Sequence, residues 1–166
     1  FGAEFDEFCD RIQNQWPCHI KRTNALLDWQ FSRQPGKHYE TLGYFDGDKL
    51  LGYAVLFFRK ANKHGAIEKA AISDLCYDAE HGEYVVNALI SAAVNAAITR
   101  RAGGIVTDVL DPLVERALTG HGFWRVKSGL QLMVKSPDRQ DVTYNAANWF
   151  LTRGDSDISI FEHPND

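Results

Sequence analysis

Only three cysteines occur in this chain, Cys9, Cys18 and Cys76, with no C-x-x-C spacing among them. A disulfide framework is therefore not expected, and the three are read as reduced thiols of a cytoplasmic protein. Lys and Arg are nowhere concentrated, and 18 basic against 22 acidic residues leave a formal charge of -4. Binding that follows nucleic-acid phosphates is disfavoured on electrostatic grounds. No apolar run approaches the roughly 20 residues that span a bilayer, and the start lacks the form of a secretory leader. The six histidines show neither H-x-H nor H-x-x-x-H spacing, which argues against zinc and leaves no metal expected. There are no internal repeats and no low-complexity tract. The 166 residues suit one domain, 1–166. The chain opens on Phe1 rather than Met, so a processed product, or one half of a longer two-domain chain, stays open.

What is present is a recognisable order of elements. Phe5, Phe8, Cys9, Ile12 and Trp16 recur at helical spacing until Pro17, predicting a first helix over about 3–15. A second helix is expected from an N-cap at Asn24 to Pro35-Gly36. Thr41–Phe45, the turn Asp46-Gly47-Asp48 and Lys49–Arg59 read as a hairpin, with Gly supplying the positive φ that a tight turn needs. The arm Leu50–Phe58 is almost continuously apolar, as in a strand buried on both faces. Asn62–Gly65 reads as a second turn.

Then come a strand over Ala66–Tyr77, a helix over Glu80–Ala102, a strand over Gly104–Leu110 and a short helix Pro112–His121 ending at Gly122-Phe123. A strand–helix–strand crossover makes its two strands parallel neighbours. Ligands in such sheets bind beyond the carboxyl ends of the strands, near the amino end of the crossover helix. Glu83, Asn87, Ser91, Asn95 and Thr99 form a narrow polar stripe on a helix otherwise apolar, which predicts burial on more than one side. Trp124–Lys127 and Leu130–Lys135 read as β-rich, Asn145–Trp149 as one helical turn, and the tail as a short strand, a turn at Gly154 and Ile158–Phe161.

Asp74 and Asp108 sit late in the two parallel strands. Each carboxylate must be paired, hydrated or at a cleft. One reading makes either the base that accepts a proton from an attacking amine, with partial burial raising its pKa; the other makes each a structural carboxylate. Asp111-Pro112 has the form of an N-cap followed by Pro at the first helical position. Asp155-Ser156-Asp157 reads as a solvated turn, and Cys76 as a small core thiol rather than an acyl carrier. Trp29, Phe31 and Tyr39 are candidates to line an acceptor pocket, although core packing is the commoner role of such residues.

The order helix, helix, hairpin, strand, long helix, strand, short helix, Gly-Phe resembles the GNAT fold (GCN5-related N-acetyltransferases) over about residues 20–135. Ala117–Phe123 is the best local match. Leu27-Asp28-Trp29-Gln30-Phe31 with Pro35 and Tyr39, and Trp149-Phe150-Leu151-Thr152-Arg153-Gly154-Asp155-Ser156-Asp157, look like acyltransferase domains of bacterial cell-envelope and exopolysaccharide pathways. The resemblance implies a mixed, mostly antiparallel twisted sheet with a central parallel pair and a long helix on one face. It implies transfer of an acyl group from acetyl-CoA or another acyl-CoA to a small-molecule amine, with a second GNAT-like domain or a homodimer as partner. In the family the strand before the long helix lies along the pantetheine arm, here Leu75 and Cys76. A Gln/Arg-x-x-Gly-x-Gly/Ala loop wraps the pyrophosphate, here His81, Gly82, Glu83 and Tyr84 in the stretch up to Val86, and the next helix begins at Asp111.

This chain departs from that pattern. His81 replaces Gln or Arg, Tyr84 and Val86 replace the small residues, Asp111 replaces an Asn, and Leu118 stands where a general-acid Tyr is often found. Asp78, Glu80 and Glu83 already place carboxylates at a helix end that would otherwise attract phosphate. The competing expectation is a GNAT fold that has lost donor binding and serves as a binding or structural module. An aminoacyl-tRNA donor is a third, disfavoured by the absence of a basic patch. A gap between the parallel strands filled with side chains would leave only the non-catalytic version.

Overall fold

The structure, a computed structural model, describes residues 1–35, 38–59, 69–127, 132–135 and 141–156. The turn expected at Asn62–Gly65, the segment Ala66–Glu68, Asp157 and the strand expected over Ile158–Phe161 lie outside the described residues, as does part of Leu130–Lys135. Among the described residues no helix is long and apolar enough to cross a membrane.

Helix α1 (Ala3–Ile12) is followed by β1 (Cys18–His19) and α2 (Asn24–Leu27), which continues as one wide turn over Asp28–Ser32. Thr23, not Asn24, caps α2: its hydroxyl accepts the Leu26 N–H at 3.1 Å. The hairpin is β2 (Tyr39–Asp46) and β3 (Lys49–Arg59), antiparallel, with Asp46 opposite Lys49 and Gly47 at φ +56° in the turn. β4 (Lys69–Tyr77) runs antiparallel to β3. After a short turn over Ala79–His81 comes α3 (Gly82–Thr99). The long helix thus ends before Ala102, with Arg101 in the left-handed region at φ +56°.

β5 (Gly104–Val106) pairs with β4 in parallel, Lys69 opposite Gly104 and Ala71 opposite Val106, as the crossover predicts. The second strand is not continuous. It breaks at Thr107-Asp108 and resumes as β6 (Val109–Leu110), which belongs to another sheet. α4 (Pro112–Gly120) follows, then α5 (Asp141–Tyr144), one turn over Ala146–Asn148 and β7 (Trp149–Thr152). The main sheet has the order β2-β3-β4-β5 and the small one β1-β7-β6. No strand is assigned within 124–127 or 132–135, where β structure was expected.

The apolar run of β3 lies at the centre of the core because both faces of the sheet are covered. On one face Phe5 and Phe8 of α1 meet the Tyr53 ring, at 5.4 and 5.8 Å between centroids. On the other, α3 comes so close that a Cβ at Gly52 would stand 2.5 Å from a Val85 methyl. Val85, Val86, Leu89, Ile90 and Ala93 of α3 are buried there. Helix α3 is not enclosed all round, however: Tyr84 and Ile98 are 69% and 67% exposed. The end of α4 explains its Gly-Phe. Phe123 N–H returns to Leu118 O and Gly122 N–H to Thr119 O, with Gly122 at φ +84°, a glycine-closed helix terminus.

Candidate functional site

β4 and β5 pair only over their first three positions, and beyond Ala71 and Val106 they part. β4 carries a bulge there: Leu56 faces Ile72 and Val55 faces Asp74, which leaves Ser73 as the extra residue. Bulges bend a strand and re-aim its side chains. The parting is the opening in which a ligand was expected.

That opening is occupied by the chain itself. β7 pairs antiparallel with β6, Val109 opposite Thr152 and Leu110 opposite Leu151. Its other neighbour in the sheet is β1, Cys18 opposite Trp149 and His19 opposite Phe150, and its side chains and the turn after it meet the last half of β4. Thr152 Oγ1 donates to Asp74 Oδ1 at 2.6 Å. A Cβ at Gly154 would stand 2.9 Å from the Ser73 carbonyl oxygen. Phe150 is wholly buried, stacked on Trp16 at 3.9 Å and edge-on to Tyr77 at 6.1 Å. Tyr77, at the end of β4, reaches across and donates its hydroxyl to the Asp111 carboxylate at 3.1 Å. The void beside Cys9, Trp16, Arg22 and Cys76 is about 10 Å³, room for one water at most.

The filling segment is locked by a buried charge network. Arg22, 5% exposed, donates to both Asp74 oxygens at 2.9 and 3.2 Å and to Asp155 Oδ2 at 2.8 Å. The Tyr53 hydroxyl donates to Asp74 Oδ2 at 2.7 Å, and the Thr152 N–H to Asp155 Oδ2 at 2.8 Å. Burial pushes the Asp74 carboxyl up, but the Arg22 guanidinium and the hydrogen bonds from Arg22, Thr152 and Tyr53 outweigh it, and its pKa lies below the ordinary value. The upward shift expected of a base at this position is therefore reversed. Asp155 goes the other way: burial and the Asp74 charge raise it despite Arg22. The expectation of a solvated turn at Asp155-Ser156 is corrected on the same ground, because the Asp155 side chain is only 9% exposed and ion-paired.

Asp108 has a different setting. It sits at the break between β5 and β6, paired with Arg153, with its side chain 29% exposed. It faces a cavity of about 620 Å³ bounded by the β5–β6 junction, α4, residues 123–126 and 132–133, and β7. Neither β4 nor α3 reaches this cavity. The two aspartates named together from the sequence thus point to different places.

The turn leading into α3 is tied to α1 and the chain after it. Asp78 accepts from Glu80 N–H and from Arg11 Nε at 2.9 Å. Gln15 accepts the Ala79 N–H at 2.7 Å and donates to Tyr77 O. Gly82 gives no open cradle, since a Cβ there would lie 2.8 Å from the Tyr77 ring. Glu83 is exposed, Tyr84 lies edge-on to Tyr44 at 5.5 Å, and His81 is half-buried. Asp111 caps α4, accepting from Leu113 and Val114 N–H at 3.0 and 2.8 Å. Leu75 and Cys76 are buried in β4, and burial raises the Cys76 thiol well above its ordinary value, as in an inert core thiol. Acyl-CoA does not fit these residues in the manner of the fold family: the space between the parting strands is filled and the helix end carries carboxylates.

Trp29, Phe31 and Tyr39 are not brought together as a pocket. Phe31 and Tyr39 pack edge to face at 5.1 Å, Phe31 in the core, while Trp29 is 62% exposed. The residue that sequence reasoning missed is Arg22. It lies in an irregular stretch with no motif, beside Lys21 and just before the α2 cap Thr23, and nothing local marks it as buried.

No protein-family model matches this sequence, and no curated protein is similar to it. Solved structures are. The ribosomal-protein-alanine N-acetyltransferase of Brucella melitensis biovar Abortus 2308 is 16% identical, with 80% of this chain and 91% of that one covered at a TM-score of 0.56. An aminoglycoside acetyltransferase from an uncultured soil metagenomic sample, solved with sisomicin, is 11% identical over 80% and 87% at 0.53. A transcriptional regulator from Bacillus halodurans C-125 is 14% identical over 81% and 95% at 0.58. The chain has the GNAT fold, a mixed α/β architecture that these proteins share. At such identities the likeness concerns architecture, and one fold hosts many functions.

Proposed function

We propose that this chain is a GNAT-fold domain whose donor path is taken by its own segment Trp149–Asp155, and that it works as a binding or structural module. The observation that supports this reading is the wedge itself: Phe150, Thr152 and Gly154 lie beside β4 past the point where it parts from β5, held by Arg22 and Asp74. Removing the wedge would strip the buried Arg22–Asp74 pair of Asp155 and Thr152, and breaking up a buried charge network costs several kcal/mol.

A second reading, an N-acyltransferase acting from acyl-CoA on an amine, has its own support. The neighbours of this fold include acetyltransferases. The Ser73 hydroxyl, at the β4 bulge, is fully buried without a partner among the described residues, the kind of group a ligand satisfies. In that reading Asp108, half-exposed at the cavity, is the better candidate for the proton acceptor than Asp74.

Thermal melting with and without millimolar acetyl-CoA separates the two. A ligand at a hundred times its Kd adds about 2.7 kcal/mol of stability. The expected result is no shift; a rise of several degrees overturns the module reading and restores the enzyme.

A further inference from the structure

Two short stretches after α4, 123–127 and 132–135, turn apolar side chains outward. Trp124 is 90% exposed, Met133 87%, Val126 79% and Leu132 46%. All four stand on the outer wall of the 620 Å³ cavity, so Leu118 and Leu151 behind them carry the apolar surface inward. A contiguous apolar patch on a folded surface marks a place where something else binds.

The free charges among these side chains have one sign. Trp124-Arg125-Val126-Lys127 alternates apolar with basic, and Lys135 ends the second stretch. Residues 116–137 contain no Asp or Glu, in a chain whose formal charge is -4. The bias comes from missing carboxylates, not from a concentration of Lys and Arg. The carboxylates nearest the patch are already ion-paired: Asp108 with Arg153, Asp155 with Arg22, and Glu115 with Arg125. Lys127 and Lys135 are exposed and have no acidic partner among the described residues.

We propose that this face docks on the surface of an anionic phospholipid bilayer, with Trp124, Val126, Leu132 and Met133 below the headgroups and Lys127 and Lys135 at the level of the phosphates. Indole suits that boundary, its ring apolar and its N–H polar, and Lys carries its charge outward on an apolar stem. A protein partner is the poorer match, because lysines are depleted in protein interfaces. Attachment of this kind lies on the membrane and needs no helix that crosses it. The proposal goes beyond the module reading and is independent of it: an acetyl-CoA melting shift overturns the closed donor path without touching this face.

The test mixes the full chain with vesicles of phosphatidylcholine alone and of phosphatidylcholine with phosphatidylglycerol. Binding is read by co-sedimentation, and insertion by a blue shift of tryptophan emission. The anionic vesicles are expected to bind the chain and to release it at raised salt, while phosphatidylcholine alone does not hold it. Lys127→Gln combined with Lys135→Gln is expected to weaken binding about 25-fold, about fivefold for each charge. Trp124→Ser is expected to weaken it about tenfold and to remove the blue shift. All three side chains are exposed, so both variants are expected to melt with the parent, and their loss of binding reads the surface rather than the fold. Equal binding to the two vesicles, no binding to the anionic ones, or undiminished binding by Trp124→Ser overturns the proposal. So does a dimer in solution that Trp124→Ser dissociates, which assigns this face to a second copy of the chain.

Discussion

Gly154 lies against the carbonyl oxygen of Ser73, so closely that an added Cβ would stand 2.9 Å from it and 3.1 Å from the Phe31 ring. One of these neighbours is backbone within a buried strand and cannot step aside. Gly154→Val is therefore expected to destabilise the domain by about 1–3 kcal/mol through overpacking. Urea unfolding would register this as a lower midpoint at unchanged slope. Unchanged stability would mean that the wedge is not seated against β4.

Arg22 serves two carboxylates inside the protein. Arg22→Met keeps most of its volume but leaves Asp74 and Asp155 facing each other uncompensated, 3% and 9% exposed. The expected loss is about 3–5 kcal/mol. Arg22→Lys keeps the charge without the planar fork and should fall between the two. A Lys variant as stable as the parent would show that the fork contributes little, and Met and Lys variants of equal stability would show that the charge without the fork contributes nothing.

The pH dependence of stability has two parts of opposite sign. Asp155 has a folded pKa above its ordinary 3.8, so as pH falls toward that value the native state takes up its proton first and stability holds or rises. Asp74 has a folded pKa below 3.8; its contribution is present above that value and is lost as pH falls through the lower folded one. Melting temperature against pH should therefore stay level or climb on mild acidification and then drop steeply. In Asp155→Asn the first, level portion should vanish. A decline beginning well above the ordinary carboxylate range in the parent chain would contradict the assignment.

The local devices were legible because their causes are local. Asp46-Gly47-Asp48 makes a tight turn since Gly47 tolerates φ +56°. Asp111-Pro112 opens α4 because an aspartate and a proline satisfy and pre-set a helix start, and Gly122 closes it. The strand–helix–strand order predicted the parallel pairing of β4 with β5, since a long crossover leaves little choice. The break at Thr107-Asp108 was not legible. Val106, Val109 and Leu110 continue the apolar pattern on both sides of it, and only pairing partners distinguish β5 from β6.

Residue pattern alone thus determined the hairpin, the crossover helix with its parallel pair, the short helix with its Gly-Phe end and the acidic start of α3, all consequences of neighbours within a few positions. Tertiary structure alone decided what stands between the parting strands. Arg22 and Asp155 are 133 positions apart, and Thr152 and Asp74 are 78 apart. No periodicity or turn rule links residues at such distances. Their meeting follows from closing the chain upon itself, where each buried charge must find its counterpart before the core can exclude water.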